Sequence, residues 1–372
     1  MSSDSDVEEL LLELHAEKKQ ALALAARARS ERLPFSVEHV SPGQATQLFR
    51  FSKDDLEPLR RLLKLPEVVR SGNRTTWTGL EGLCLVLRRL SYPSRLVDLE
   101  EVFGRGQSEG SIIANETIGV IFNRWGRLLT DLSQHTQHWL TVDKLEELCS
   151  AVRSMCPLDN VWAFIDGTCR PICRPKYHQR LWYSGYKRRH VMKFQSLMTP
   201  CGIIPHLFGP FEGRRHDSAM LEASGLLAEL QQHMARPMGG VYSIYGDSGF
   251  PLREHLLCPY KGANLTADQQ AFNTRMSAVR VSVEWGYSGV TQQFSFLQHE
   301  NLKIGLQPVA QYYVVATILF NCFTCLYGNQ VSKFFNVDPP SLEEYLHYPL
   351  CHHFSYLFSK LSAVIKCLNI LM

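Results

Sequence analysis

The chain has 372 residues, of which 45% are hydrophobic and 20% are charged, and its formal net charge is +3 at pH 7. These values are ordinary for a globular protein with a sizeable core, arranged as two domains or as one large domain with a helical attachment. Eleven cysteines lie without a framework spacing, and the sequence starts with an acidic stretch where a secretory signal would be basic and then apolar. We therefore expect free thiols and no secreted disulfide scaffold.

The first part of the chain is predicted to be all-α. Residues 5–32 are mostly Leu, Ala, Glu, Lys and Arg, which predicts a charged, solvated or self-associating helix within an N-terminal segment 1–44. Residues 45–150 repeat leucines at spacings of three and four, as helices do.

A helix-turn-helix is predicted within residues 45–150. Pro93 breaks the chain after one helix, Gly104 and Gly106 end a second, and Ser108 is a candidate N-cap for a third. A short helix, a glycine-containing turn and a longer helix fit a DNA-reading helix-turn-helix, with plain helical support as the alternative. The third helix would offer these side chains to a groove: Ser108, Ser111, Asn115 and Arg124.

From residue 158 the sequence predicts strands and a mixed sheet. Four short runs are rich in β-branched and aromatic residues and are bounded by Gly and Pro: VWAFID, HVMKFQSLM, GIIPHLFG and VYSIYGD. Helical patterns follow at 217–234, about 275–300 and 308–327. Because a helix follows three strands and precedes a fourth, we predict an α/β domain over 158–335. Residues 336–372 are left as a C-terminal tail, either an amphipathic helix or a segment outside the fold.

The segment 308–327 is apolar, but it carries Gln311 and Asn321, so we predict a buried helix and no membrane span. Cys322 and Cys325 form a C-x-x-C pair within it; without a nearby second pair they indicate core packing more than a redox or metal site. Cys351 and the two histidines that follow it are a weaker candidate metal site.

Acidic residues fall at the predicted strand ends and helix starts. Asp166 ends VWAFID, Asp247 ends VYSIYGD, and Glu284 lies on a predicted helix. Each alone would suggest a turn or cap, but together they could bind Mg²⁺ or Mn²⁺ through oxygen ligands and act on a phosphodiester. Asp217 opens a helix, so it is either an accessory metal ligand or an N-terminal cap.

A basic segment follows the first acid. Residues 167–211 contain no Asp or Glu but eight Lys and Arg residues, with Tyr177, Trp182, Tyr183 and Tyr186 between them. This pattern indicates a phosphate-backbone contact surface with aromatic rings able to stack on unpaired bases; a solvated hairpin is the alternative. The residues predicted to contact nucleic acid are Arg174, Lys176, Lys187, Arg188, Arg189 and Lys193.

Ordered motifs over residues 160–300 resemble the Harbinger-type DDE transposases and their domesticated nuclease relatives. They are IDGT (165–168), RP (174–175), YSGYKRRH (183–190), KFQS (193–196), GPFEGRRHDSAML (209–221), YGDSGFP (245–251), and FN followed by R-x-x-VE (272–284). The chain departs from the family at Tyr186, where the family often has a basic residue or His, and after Glu284, where a basic residue commonly follows.

The resemblance implies an RNase H-like catalytic core, metal-dependent DNA cleavage and strand transfer, and a nuclear location, with the cytoplasm as a further option. It carries the family's acids over to Asp166, Asp217, Asp247 and Glu284. The predicted strand-end placement of Asp166 and Asp247 favours these two with Glu284 as the catalytic residues and leaves Asp217 as an accessory ligand. The resemblance also implies DNA and a separate Myb-like DNA-binding protein as partners, and leaves a homo-oligomer open.

Two other functions compete with an active nuclease. One is a domesticated, catalytically inactive module that binds DNA or a protein; the four intact acids argue against it, because a retired site gains nothing from clustered negative charge. The other is a phosphohydrolase of small phosphoesters; the long basic segment argues against it, because a small substrate needs no extended cationic track.

Overall fold

The computed structural model describes residues 11–21 and 35–347, except residues 73, 301 and 305. Helix α1 (residues 11–21) is exposed along its whole length. The next elements are α2 (Pro42–Phe49), α3 (Lys53–Leu62), β1 (Val68–Arg70), β2 (Thr76–Thr78), α4 (Gly79–Ser91), α5 (Leu96–Phe103), α6 (Gln107–Trp125) and α7 (Val142–Arg153).

The β1–β2 hairpin is the one departure, among these described elements, from the all-α expectation. Its strands have three residues each and pair antiparallel, with Val69 opposite Trp77. Only Trp77 is buried in β2, between two exposed threonines. A period-two pattern this short is lost among the helical leucines around it, so the sequence did not indicate the hairpin.

Helices α5 and α6 have the predicted helix-turn-helix order. Gly104 ends α5 in a left-handed conformation that glycine adopts without strain, and Arg105 in the turn pairs with Glu81 of α4 at 2.7 Å. Asn115 lines an open groove together with Ser108 and Ser111, and both Asn115 and Arg124 have hydrogen-bond partners within the protein. Asn115 Oδ1 accepts a hydrogen bond from the Tyr312 hydroxyl at 2.8 Å, and Arg124 donates to the Lys64 carbonyl.

The second region contains the sheet. Its elements are β3 (Val161–Pro171), α8 (Gln179–Trp182), β4 (Tyr183–Ser184), β5 (Arg189–Met198), β6 (His206–Glu212), α9 (Asp217–Ser224), α10 (Leu226–His233), β7 (Ser243–Tyr245), β8 (Leu256–Leu257), α11 (Ala267–Gln293), α12 (Val309–Tyr327), α13 (Gln330–Phe335) and α14 (Leu342–Tyr345). The helical pattern predicted over 217–234 is divided at Gly225, which has a positive φ and lies between α9 and α10.

The sheet is mixed, as predicted. Strand β3 lies between β5, which is antiparallel to it, and β7, which is parallel; β8 continues the parallel half. Strands β4 and β6 both pair antiparallel with β5. With helices packed around this sheet, the RNase H-like α/β class expected from the motifs is confirmed, preceded by a helical region.

Among the described helices, only α12 is long and apolar enough to cross a membrane, and 72% of its apolar window is buried inside the protein. It packs against α6, α11 and β6, so it is a core helix, as its Asn321 indicated. Cys322 is fully buried and Cys325 packs against the core, which agrees with a packing role for this pair. Cys351 and the histidines beside it lie outside the described residues.

Candidate active site

The sheet register brings Asp166 and Asp247 to the same edge. Phe164 of β3 pairs in parallel with Tyr245 of β7, and each acid lies two residues beyond this pair. Ligand sites form where parallel strands end side by side. The prediction that Asp166 ends its strand is wrong in detail, because β3 continues to Pro171 through its antiparallel pairing with β5. Asp166 lies just past the end of the parallel pairing.

The Asp166 carboxylate is largely buried and already has partners. Its side chain is 18% exposed; Oδ1 accepts from the Gly167 backbone N–H at 2.7 Å, and Oδ2 accepts from Arg280 Nη1 at 3.0 Å. Burial raises the pKa of Asp166 to about 6, against the opposing effects of Arg280 and the Gly167 N–H. The charges of Asp247 and Asp217 raise this pKa further, so both acids lie near Asp166.

Glu284 lies on the face of α11 that contacts Asp166. Arg280, Glu284 and Tyr287 follow one another at spacings of four and three, so they share one helix face. The Tyr287 hydroxyl donates to the Asp166 carbonyl at 2.9 Å. Arg280, one turn before Glu284, binds the carboxylate of Asp166, and Tyr287, one turn after Glu284, binds the backbone carbonyl of Asp166. The Glu284 carboxylate lies 4.0 Å from Arg280 and is 60% exposed, so it is open to a ligand.

A glycine allows α11 to approach the sheet this closely. A Cβ added at Gly286 would lie 1.8 Å from the Met198 side chain of β5. Beside Gly286, Tyr287 is buried and accepts a hydrogen bond from Ser196 Oγ at 2.7 Å. The helix is therefore seated on β3 and β5 by contacts that surround the acids.

Asp217 lies beside Asp166 but is not the cap that the sequence allowed. It is the first residue of α9, whose N-cap is His216 with no side-chain capping bond. Instead, Asp217 Oδ1 lies 3.3 Å from Lys193 Nζ. A Cβ added at Gly167 would be 3.0 Å from the same oxygen, so a small residue after Asp166 makes room for Asp217.

In their present conformations, the four acidic side chains do not surround a common point at which a metal ion could bind. Within the described part of the chain, no three Asp, Glu, His or Cys side chains are placed to hold a metal ion as they stand. Asp247 turns one oxygen to the Gly249 N–H at 2.8 Å, and both Asp166 oxygens have donors. The donor set nevertheless fits a hard divalent cation, because it consists of carboxylate oxygens at one sheet edge.

The six predicted nucleic-acid contacts divide into two groups. Lys176, Lys187 and Arg188 are exposed, and the two lysines lie over the rings of Tyr177 and Tyr186, which is 90% exposed. These three side chains have no carboxylate partner among the described residues.

The other three predicted contacts have protein partners. Arg189 pairs with Glu300 at 2.7 Å, and Arg174 donates to Gln179 at 2.9 Å. Lys193 points inward to Asp217 and is only 17% exposed, so it belongs to the acidic site and not to the outer surface.

Arg280 and Tyr287 also belong to this site, although neither was predicted to have a role in it. Arg280 was quoted only as part of the R-x-x-VE motif, although its position four residues before Glu284 is the spacing of a helical ion pair. Tyr287 gave no signal, because its contact with the backbone of Asp166 depends on how α11 crosses β3.

The fold and these acids define a class. Residues 165–321, which include all four, match the family described as DDE superfamily endonuclease. The resemblance to DDE transposases is confirmed over this part of the chain.

Two relatives agree with this assignment. One is "Protein ALP1-like" from Arabidopsis thaliana, 24% identical over 273 residues, covering 69% of this chain and 64% of the relative. The other is "Probable transposase for insertion sequence element IS702" from Microchaete diplosiphon, 29% identical over 122 residues, covering 32% of this chain and 42% of the relative. The chain thus spans less than two thirds of either relative. No solved structure matches it significantly.

Proposed function

We propose that this chain is a metal-dependent DNA endonuclease of the transposase type, acting in the nucleus. The observation that carries the proposal is the placement of Asp166 and Asp247 two residues beyond the same parallel strand pair, under the helix face that carries Glu284. Asp166, Asp247 and Glu284 would hold Mg²⁺ or Mn²⁺, with Asp217 as accessory ligand. Such ions, when bound, polarise a phosphodiester and activate the attacking oxygen.

The side chains around the acids prepare the site for a polyanion. Burial strengthens each electrostatic contact, because little water screens it. Tyr287 fixes the backbone of Asp166, and Lys193 balances the charge of Asp217. Lys176, Lys187 and Arg188 offer unpaired cations to the DNA backbone, and the rings of Tyr177 and Tyr186 are exposed for stacking. The exposed cations and aromatic rings outside the buried acidic site favour a DNA substrate over a small phosphoester.

A plasmid-nicking assay tests the proposal. Asp166→Asn, Asp247→Asn and Glu284→Gln should each lower Mg²⁺-dependent cleavage by at least about 100-fold, the scale expected when a group stabilising transition-state charge is removed. Asp268→Asn is the matched control, because Asp268 is exposed on the same helix as Glu284. EDTA should abolish cleavage by the wild-type chain. A wild-type chain that binds DNA but does not nick it with Mg²⁺ or Mn²⁺ would instead support the inactive binding module.

Asp217→Asn should reduce cleavage less than the other three changes, by about 10-fold, the scale of a residue that supports metal ligands. The amide oxygen of Asn can still accept from Lys193, so the local contact is kept in part. The measurement is the same assay at saturating Mn²⁺. A loss as large as that of Asp166→Asn would place Asp217 among the principal ligands.

A further inference from the structure

Arg280 lies between two of the proposed ligands. Its Nη1 is 3.0 Å from Asp166 Oδ2, and its Nη2 is 4.0 Å from Glu284 Oε1. Asp166 comes from the sheet and Glu284 from α11, so one guanidinium connects acids supplied by two different elements. A divalent cation shared by these acids would be bound by the same two carboxylates that Arg280 approaches.

The Arg280–Asp166 ion pair is partly buried and has other acidic side chains near it. The Arg280 and Asp166 side chains are 22% and 18% exposed, so water screens their interaction only in part. Near them lie Asp217 and Asp247, and Lys193 is the other cation that contacts these acids in the described structure. Without a cation at the Arg280 position, Asp166 would be a buried charge held by one backbone N–H. Such a charge is costly to leave unpaired.

We propose that Arg280 is a positioning residue that takes the place of the divalent cation in the metal-free protein and competes with that cation for Asp166. This inference rests on the proposed function. It specifies which residue holds the metal-binding carboxylates in position when no metal ion is bound. The pair between Nη1 and Oδ2 must separate before Oδ2 can ligate a metal ion. The same contact therefore holds Asp166 near Glu284 and lowers the metal affinity.

The competition between Arg280 and the metal ion for Asp166 can be measured as a change in the apparent dissociation constant for the metal ion. The apparent dissociation constant of a ligand rises in proportion as the binding-competent form becomes less populated. If the Arg280–Asp166 pair leaves the site open about one tenth of the time, the apparent affinity for metal is about ten times weaker than that of the open site. Removing the guanidinium should restore that factor. A purely structural salt bridge predicts the opposite sign, because its loss would disorganise the ligands.

The experiment measures Mn²⁺ binding to the full chain without DNA, by calorimetry or electron paramagnetic resonance. Arg280→Gln should bind Mn²⁺ about tenfold more tightly than the wild type, while its melting temperature in EDTA should fall. The control is Arg275→Gln, since Arg275 is exposed on the same helix and makes no ion pair with a described residue. It should leave both quantities unchanged.

The outcomes separate this inference from the proposed function. Equal or weaker Mn²⁺ binding by Arg280→Gln overturns the competition but leaves a metal site in place. Absence of Mn²⁺ binding in both wild type and variant overturns the competition and the proposed function together. If Arg280→Gln does not fold, Mn²⁺-bound crystals of the wild type decide the question. The distance between Nη1 and Oδ2 should lengthen from 3.0 Å to beyond hydrogen-bonding reach, and an unchanged pair beside bound Mn²⁺ would overturn the proposal.

Discussion

At the scale of single residues, the burial of Asp166 is unfavourable for its ionised carboxylate. Its carboxylate is buried among other acids, and its ionised form is therefore disfavoured in spite of Arg280. The sequence alone indicates Asp166, Asp247 and Glu284 as candidate site residues, because acids at predicted strand ends and within R-x-x-VE form a recognisable pattern. It did not indicate Arg280 as the partner of Asp166, because that contact joins residues 114 positions apart in the chain.

The raised pKa of Asp166 predicts a pH-dependent stability. A folded pKa of about 6, above the ordinary 3.8, means that stability is fully present below pH 4 and is lost as the pH rises through 6. The loss is about 3 kcal/mol, at roughly 1.4 kcal/mol per pKa unit. Asp166→Asn should lack it, so the variant should gain stability relative to the wild type between pH 4 and 7. Urea unfolding in EDTA at both pH values measures this, and parallel pH dependences in the two proteins would contradict it.

At the scale of elements, the charge of the basic segment (residues 167–211) could be predicted from the sequence, but the partners of its individual side chains could not. Its charge excess was visible, and Lys176, Lys187 and Arg188 are indeed exposed. Arg189 and Lys193 carry the same charge, but β5 directs one to Glu300 and the other to Asp217. For α6 too, the position of the helix could be predicted but its side-chain contacts could not. Its helix-turn-helix position was predictable, whereas the contact of Asn115 with Tyr312 of α12 required the tertiary structure.

Replacing Lys187 and Arg188 with Ala should weaken DNA binding about equally on every sequence. If each contacts one phosphate, the slope of log affinity against log salt should fall by about 1.8, at roughly 0.9 per contact on duplex DNA. Arg189→Ala should have a smaller effect, because Glu300 already neutralises Arg189. The exposed Arg153 at the end of α7 provides a control, and Arg153→Ala should not change the slope. A double variant with the wild-type slope would show that this segment does not touch the backbone.

At the scale of the whole molecule, the two regions share one core. Helix α12 packs on α6, and the buried Gln137 amide donates to the Leu128 and Pro205 carbonyls, which lie on opposite sides of the predicted boundary near 158. The order of helices and strands could be predicted because local periodicity encodes it. That periodicity could not show that the final helices return to the first region, since that packing is set by long-range contacts.

A fragment that starts at Asp159 should therefore fail to fold cooperatively. Cutting there removes α6 and exposes the face of α12 that packs against it, and it leaves Pro205 without the Gln137 amide. Near-ultraviolet circular dichroism and thermal melting of the fragment and of the full chain make the comparison. A fragment with a sharp melting transition and native near-ultraviolet signal would show that the α/β region is an independent domain, as a boundary at 158 implies.

The most direct test of the central claim is anomalous diffraction from crystals of the full chain soaked in Mn²⁺. We expect an anomalous peak at about 2.0–2.2 Å from carboxylate oxygens of Asp166 and Asp247, as for hard cations with oxygen ligands, with the Glu284 carboxylate turned toward the ion. Soaked crystals with no peak at this edge of the sheet, or with a peak held by other residues, would contradict the assignment of these acids as the metal site.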